Sequence, residues 1–201
     1  MVVGFTQGER LTGPSFSSTN PALAIPAADC HSSVIEPTLT DPFVIRHLEA
    51  ASGYLQLGMI QDANDELEEI APAAKTSREV MVVRAVIYRQ AEAWQLLREV
   101  GGFLVLNWPE EVQHWIWLAY GTRRCRSMEE GEQALLDALR LHDREPLIHF
   151  NLACYASQLG NLVAARDRLA RAIKLDPNVR LMGLDDPDLE PLWAAIGKPT
   201  T

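Results

Sequence analysis

The sequence predicts an all-α fold built from stacked helical hairpins, and three observations carry that expectation. From Pro42 onward apolar residues recur at helical spacing, while strand signals are nearly absent. Sliding the chain against itself by 34 residues places Ala51, Ala85, Ala119 and Ala153 in one column without a gap. Two prolines, Pro109 and Pro177, share a column two units apart and cannot continue a helix.

The first 40 residues have a different texture. Between Leu11 and Thr40, five Ser, four Thr and four Pro accompany only two charged residues, and no period survives, so 1–40 reads as a disordered or loosely packed tail. Residues 41–182 read as the repeat domain, with units 44–77, 78–111, 112–145 and 146–179. Further columns hold the frame: Tyr54, Tyr88, Thr122, Ala156; Ala63, Leu97, Gly131, Ala165; Leu67, Gly101, Leu135, Leu169; Ile70, Leu104, Ala138, Ala172. A small residue at a fixed point of each first helix lets the second approach closely, and hairpins must stack to bury their two apolar sides.

The β-branched run Val80–Tyr88 lies in a helix-length segment that Ser77 can cap, and is read as helix. Unit 78–111 departs most from the frame. Arg84 stands where the other units have Ala50, Leu118 and Leu152, which predicts a snorkelling side chain. Gly101-Gly102 interrupts the second helix at a cost of roughly 1 kcal/mol per Gly relative to Ala, and a close helix crossing accounts for the pair better than a functional kink. The segment 183–201 supplies a capping helix, with Asp188 as its N-cap, Pro191 in its first turn and Leu189, Leu192, Trp193 and Ile196 on one face.

These columns resemble the tetratricopeptide repeat. The last unit matches its pattern at Leu152, Ala153, Gly160, Ala165, Leu169, Ala172 and Pro177; the third at Trp115, Leu118, Ala119, Leu135 and Ala138; the first at Ala51, Tyr54, Gly58, Ala63 and Leu67. The resemblance spans Val44 to about Val179. It implies a right-handed superhelical solenoid of about four 34-residue helix-turn-helix units whose first helices line a concave groove for peptides.

Composition narrows the function classes. A net charge of −9 and a pI near 5.0 disfavour a nucleic-acid partner, whose affinity would come from clustered Lys and Arg. The three cysteines, Cys30, Cys125 and Cys154, are an odd, widely spaced set that fits neither a disulfide framework nor a zinc site, so a cytoplasmic location is expected. No signal core or membrane-length apolar run is present in the sequence. The histidines His31, His47, His114, His142 and His149 lack metal-ligand spacing, and Cys30-His31 sits in the tail. No phosphate loop or nucleophile elbow occurs, and adjacent acidic pairs such as Glu129-Glu130 diverge on a helix. The chain therefore reads as a non-enzyme with no catalytic, metal or cofactor residues.

Carried onto this chain, the resemblance places these residues inward: Glu49 and Ser52; Val82, Val83, Val86 and Arg89; Gln113, Ile116, Trp117, Tyr120, Arg123 and Arg124; Leu147, Phe150, Asn151, Cys154 and Gln158. The candidate peptide site is Val82, Val86, Arg89, Trp117, Tyr120, Arg123, Arg124, Phe150, Asn151 and Cys154, with arginines for carboxylates beside an aromatic platform. A second reading of the same spacing packs Trp117 and Phe150 between hairpins and pairs the arginines with Glu92, Glu129 or Glu130. The expected partner is another protein, through an amphipathic or extended segment with apolar residues and acidic flanks. Two alternatives remain open. One is a small acidic secretion or assembly chaperone; the other is a self-assembling module in which the cap helix with Trp193, or the tail "PALAIPAA", fills a neighbour's groove or its own.

Overall fold

The computed structural model describes residues 41–197; segment 1–40, with Cys30, His31 and the tail expectation, and residues 198–201 lie outside the described residues. Among the described residues the chain forms ten α-helices and no strand. They fall into two compact units, 41–93 and 94–197.

In the unit 41–93, α1 (Pro42–Gln56) starts at a side-chain cap. Asp41 accepts a hydrogen bond from the Phe43 N–H at 2.9 Å, and Pro42 occupies a position whose N–H would have no helical partner anyway. Helix α2 (Ile60–Glu68) and helix α3 (Arg78–Gln90) follow, and both pack on α1. Ala51, Ala63 and Ala85 have no exposed surface, as residues at close helix contacts should. Ser77 precedes α3 in extended conformation, but its hydroxyl makes no capping bond.

Arg84 does not snorkel. It is buried and donates to Glu68 at 3.0 Å and to the Tyr88 hydroxyl at 3.3 Å, while Glu68 also holds Lys75. Burial alone would raise the Glu68 carboxyl, but Lys75 and Arg84 outweigh it and hold it below its usual range. Position 84 can therefore depart from the apolar column because the buried cation has a carboxylate partner.

Three helices end alike. Gly58, Glu92 and Gly160 share one column of the 34-residue frame and have φ of 73°, 54° and 78°. In each case the following N–H reaches back five residues: Met59 to the Tyr54 carbonyl, Ala93 to Tyr88 and Asn161 to Ala156, at 2.8–2.9 Å. Glu92 carries a Cβ into the left-handed region that glycine occupies in its counterparts. Glu92→Gly is expected to stabilise the protein by about 0.5–1 kcal/mol, strain relief outweighing the added freedom of the unfolded chain. Chemical unfolding checks it; an unchanged or lower midpoint would mean that Glu92 is not strained.

The unit 94–197 contains α4 (Trp94–Asn107), α5 (Val112–Cys125), α6 (Met128–Ala138), α7 (Pro146–Gln158), α8 (Leu162–Leu175), α9 (Val179–Asp185), a 3-10 turn (Pro187–Leu189) and α10 (Glu190–Ile196). Helix α4 runs unbroken through Gly101 and Gly102, so the expected interruption does not occur. The expected crossing does, at a reciprocal glycine contact with α5. A Cβ on Gly101 would fall 2.7 Å from the Leu118 nitrogen, and one on Gly121 would fall 2.6 Å from the Arg98 nitrogen. Gly102 takes no part: its Cβ would meet only Leu118 Cδ1, at 3.9 Å.

Helix α7 is buried on nearly every side, from Ile148 to Phe150 and from Leu152 to Ser157, because α5, α6, α8 and the C-terminal elements all pack on it. His114 and His149 tie loops to helices, and His142 ties one loop to another. A main-chain carbonyl can only accept, so the ring N–H donates in each bond: His114 Nδ1 to Trp108, His149 Nε2 to Asp143 and His142 Nε2 to Pro109, at 2.8–2.9 Å.

The C-terminal cap corrects two expectations. Asp188 is not the N-cap of α10, which begins two residues later; it lies in the 3-10 turn and faces α5. Leu189 and Leu192 are fully buried, whereas Ile196, assigned to the same face, is the last residue of α10 and is 53% exposed. Trp193 Nε1 donates to the Gly183 carbonyl at 2.9 Å, fastening α10 to α9.

Candidate functional site

The candidate site in the unit 94–197 is laid out by helical spacing. On α5, Tyr120, Arg123 and Arg124 stand at i, i+3 and i+4 and share a side of the helix. On α7, Phe150, Cys154 and Gln158 form an i, i+4, i+8 stripe.

The end of the chain lies along that stripe. A Cβ on Gly183 would touch the Phe150 ring at 3.7 Å. Asp186 lies near enough to the Cys154 thiol for the two to act on each other electrostatically. The Asp188 carbonyl accepts from Gln158 Nε2 at 2.9 Å, and its carboxylate takes a two-pronged bond from Arg123, Nη1 to Oδ2 at 2.7 Å and Nη2 to Oδ1 at 3.3 Å. Asp186 also accepts from the Asp188 N–H at 2.9 Å, which fixes the turn.

Electrostatics follow from this burial. Arg123 lies over the rings of Tyr155, at 4.9 Å, and Tyr120, at 5.6 Å. Burial would weaken its hold on the proton, but the bond to Asp188 strengthens it above the ordinary guanidinium value. Burial pushes the Cys154 thiol well up, with the charges of Asp186 and Asp188 adding to it, so this cysteine is a poor nucleophile. Burial likewise raises the Asp186 carboxyl, and the Asp188 charge adds to the shift.

Several residues assigned to the groove are buried. Trp117, Phe150 and Cys154 are 7%, 2% and 3% exposed. Trp117 stacks on His114 with ring centroids 6.0 Å apart, Phe150 and Cys154 belong to the main core, and the chain's own C-terminal segment covers the α7 stripe. Trp117 and Phe150 are therefore buried rather than open, and Arg123 is bound by Asp188 rather than by Glu92, Glu129 or Glu130. Asn151 is half-buried and spends its amide on the Leu147 carbonyl at 2.8 Å, inside its own helix. In the unit 41–93, Val82, Val86 and Arg89 are half-buried on α3, and Arg89 Nε is buried without a hydrogen-bond partner among the described residues.

What remains accessible is Arg124, which is exposed and lies 4.8 Å over the Trp94 ring, with Tyr120 edge-on to the same indole at 5.4 Å. Trp94 is absent from the sequence-derived set because it begins a second helix, and that set was drawn from first helices alone. The missed signal is an aromatic at the foot of α4, the helix that Gly101 brings onto α5. Among the described residues no group of His, Cys, Asp and Glu is arranged to hold a metal ion, and no helix is long and apolar enough to cross a membrane.

The packed helix pairs α1–α2, α5–α6 and α7–α8, with small residues at helix crossings, make a tetratricopeptide-repeat-like helical repeat fold, and solved structures share this fold. One, described as "MamA RS-1 ArsTM double mutant", matches with a TM-score of 0.59 at 14% identity over 67% of this chain and 76% of its own. Another, "MamA MSR-1 C2", matches with a TM-score of 0.57 at 20% identity over 68% of this chain and 78% of its own. No family model and no curated protein matches the sequence.

Proposed function

We propose that the protein is a non-catalytic interaction scaffold that takes an acidic, apolar-flanked segment of another protein at the face formed by Trp94, Tyr120 and Arg124. One observation carries this reading. Arg124 is exposed, cushioned on an indole and without a carboxylate partner among the described residues, in a chain of net charge −9. A guanidinium stacked on an aromatic face keeps its N–H edge free for a two-pronged bond to a carboxylate. Trp, Tyr and Arg are also the residue types that dominate binding energy at interfaces. The solenoid fold supports the reading by supplying rigid helices to hold these side chains.

An array of peptides pairing leucine with aspartate or glutamate, each matched by its Asn/Gln version, tests the reading. The wild-type chain should retain the acidic members, and Arg124→Glu should lose them while unfolding at the same temperature. Equal retention by both chains would refute the assignment.

A further inference from the structure

The sequence frame places Arg123, Phe150, Cys154 and Gln158 on a ligand-facing wall, and the chain's own segment 183–188 lies along it, with Asp188 bonded to Arg123 and Gln158. Gly183 passes Phe150, the Asp186 carboxyl lies within electrostatic reach of Cys154, and Asp188 takes Arg123 and Gln158. The contacts advance in step, so that the segment runs in the same direction as α7.

We propose that residues 183–188 are a built-in occupant of this wall, and that the partner's acidic segment gains Arg123 by displacing the Asp188 carboxylate. This rests on the scaffold reading above and deepens it by naming the recognised chemistry. A competing segment has a small residue opposite Phe150, an acidic residue three positions on and a second acid two positions further, the pattern of Gly183, Asp186 and Asp188.

The anchoring is divided in a way that permits exchange. Leu189 and Leu192 have no exposed surface and hold the cap to the core. The Asp188 side chain keeps 28% of its surface exposed, so an incoming carboxylate can reach Arg123 at the ion pair without extracting those leucines. Arg124, the next residue on α5, is open to solvent and gives the incoming acid its first contact.

The test uses the full chain and a fluorescein-labelled peptide of residues 183–192, GLDDPDLEPL, titrated by anisotropy. Asp188→Asn keeps the backbone groups that bind Gln158 and Asp186 but gives up the charge. It should tighten peptide binding by about tenfold, on the scale of one charge-assisted contact, and Arg123→Gln added to it should remove the gain. Unchanged affinity in Asp188→Asn, or a gain that survives Arg123→Gln, would overturn the proposal. A second measurement needs no variant: saturating wild-type chain with the peptide should speed exchange of the Asp188 amide, now protected by Asp186, and an unaltered rate would count against displacement. The two readings fail separately. An absent Asp188→Asn gain with binding still sensitive to Arg124→Glu removes the occupant and leaves the scaffold; the gain without sensitivity to Arg124→Glu does the reverse.

Discussion

Gly121→Ala is expected to lower stability by about 3 kcal/mol or more, and Gly101→Ala by a similar amount, because each new methyl would overlap main chain rather than a movable side chain. The new carbons would lie 2.6 Å and 2.7 Å from backbone nitrogens of the facing helix, well inside van der Waals contact. Relief requires α4 and α5 to separate along their crossing, which opens voids at Leu97, Val100 and Leu104, all without exposed surface. Gly102→Ala is the internal control. Its methyl meets only one side-chain atom at 3.9 Å, so the helix should gain up to about 1 kcal/mol from the better helix former. Urea unfolding of the three variants separates backbone clash from helix propensity; equal midpoints for Gly101→Ala and Gly102→Ala would refute the crossing.

Phe150→Ala is expected to cost about 3–5 kcal/mol. The ring is 2% exposed in the core shared by α5, α7, α8 and the C-terminal cap, so truncation leaves a cavity that the surrounding helices can only partly fill. Arg124→Ala, by contrast, removes an exposed side chain and should change stability by less than about 0.5 kcal/mol. Denaturant midpoints for the two variants distinguish a residue that builds the fold from one that serves the surface. A Phe150→Ala chain as stable as wild type would return Phe150 to the set of ligand contacts.

The contrast shows why the fold was more legible than the site. Helix phase and the Ala51, Ala85, Ala119 and Ala153 column depend on local periodicity and on close crossings, which sequence displays directly. The same frame locates the left-handed turn at Glu92, yet only Gly58 and Gly160 announced it, because glycine marks such a turn and glutamate does not. The positions assigned inward follow from the same helical phase. Which of them stayed open depended on a contact of 65 residues' separation, Arg123 with Asp188, and nothing in local spacing records that pairing. Asp188 read as a helix cap for a sound local reason, since aspartate before a proline-containing apolar run favours one, and the half-buried Arg123 outcompeted that use.

If charge recognition at Arg124 selects the partner, a charge-swap titration will reveal it. With an acidic peptide chosen on the array, Arg124→Glu should weaken binding at least about tenfold, and the same peptide with lysines in place of its acids should recover affinity on the variant while binding the wild type poorly. If the Glu variant binds the acidic and lysine peptides as the wild type does, charge at position 124 plays no part in recognition and the proposed binding face is wrong.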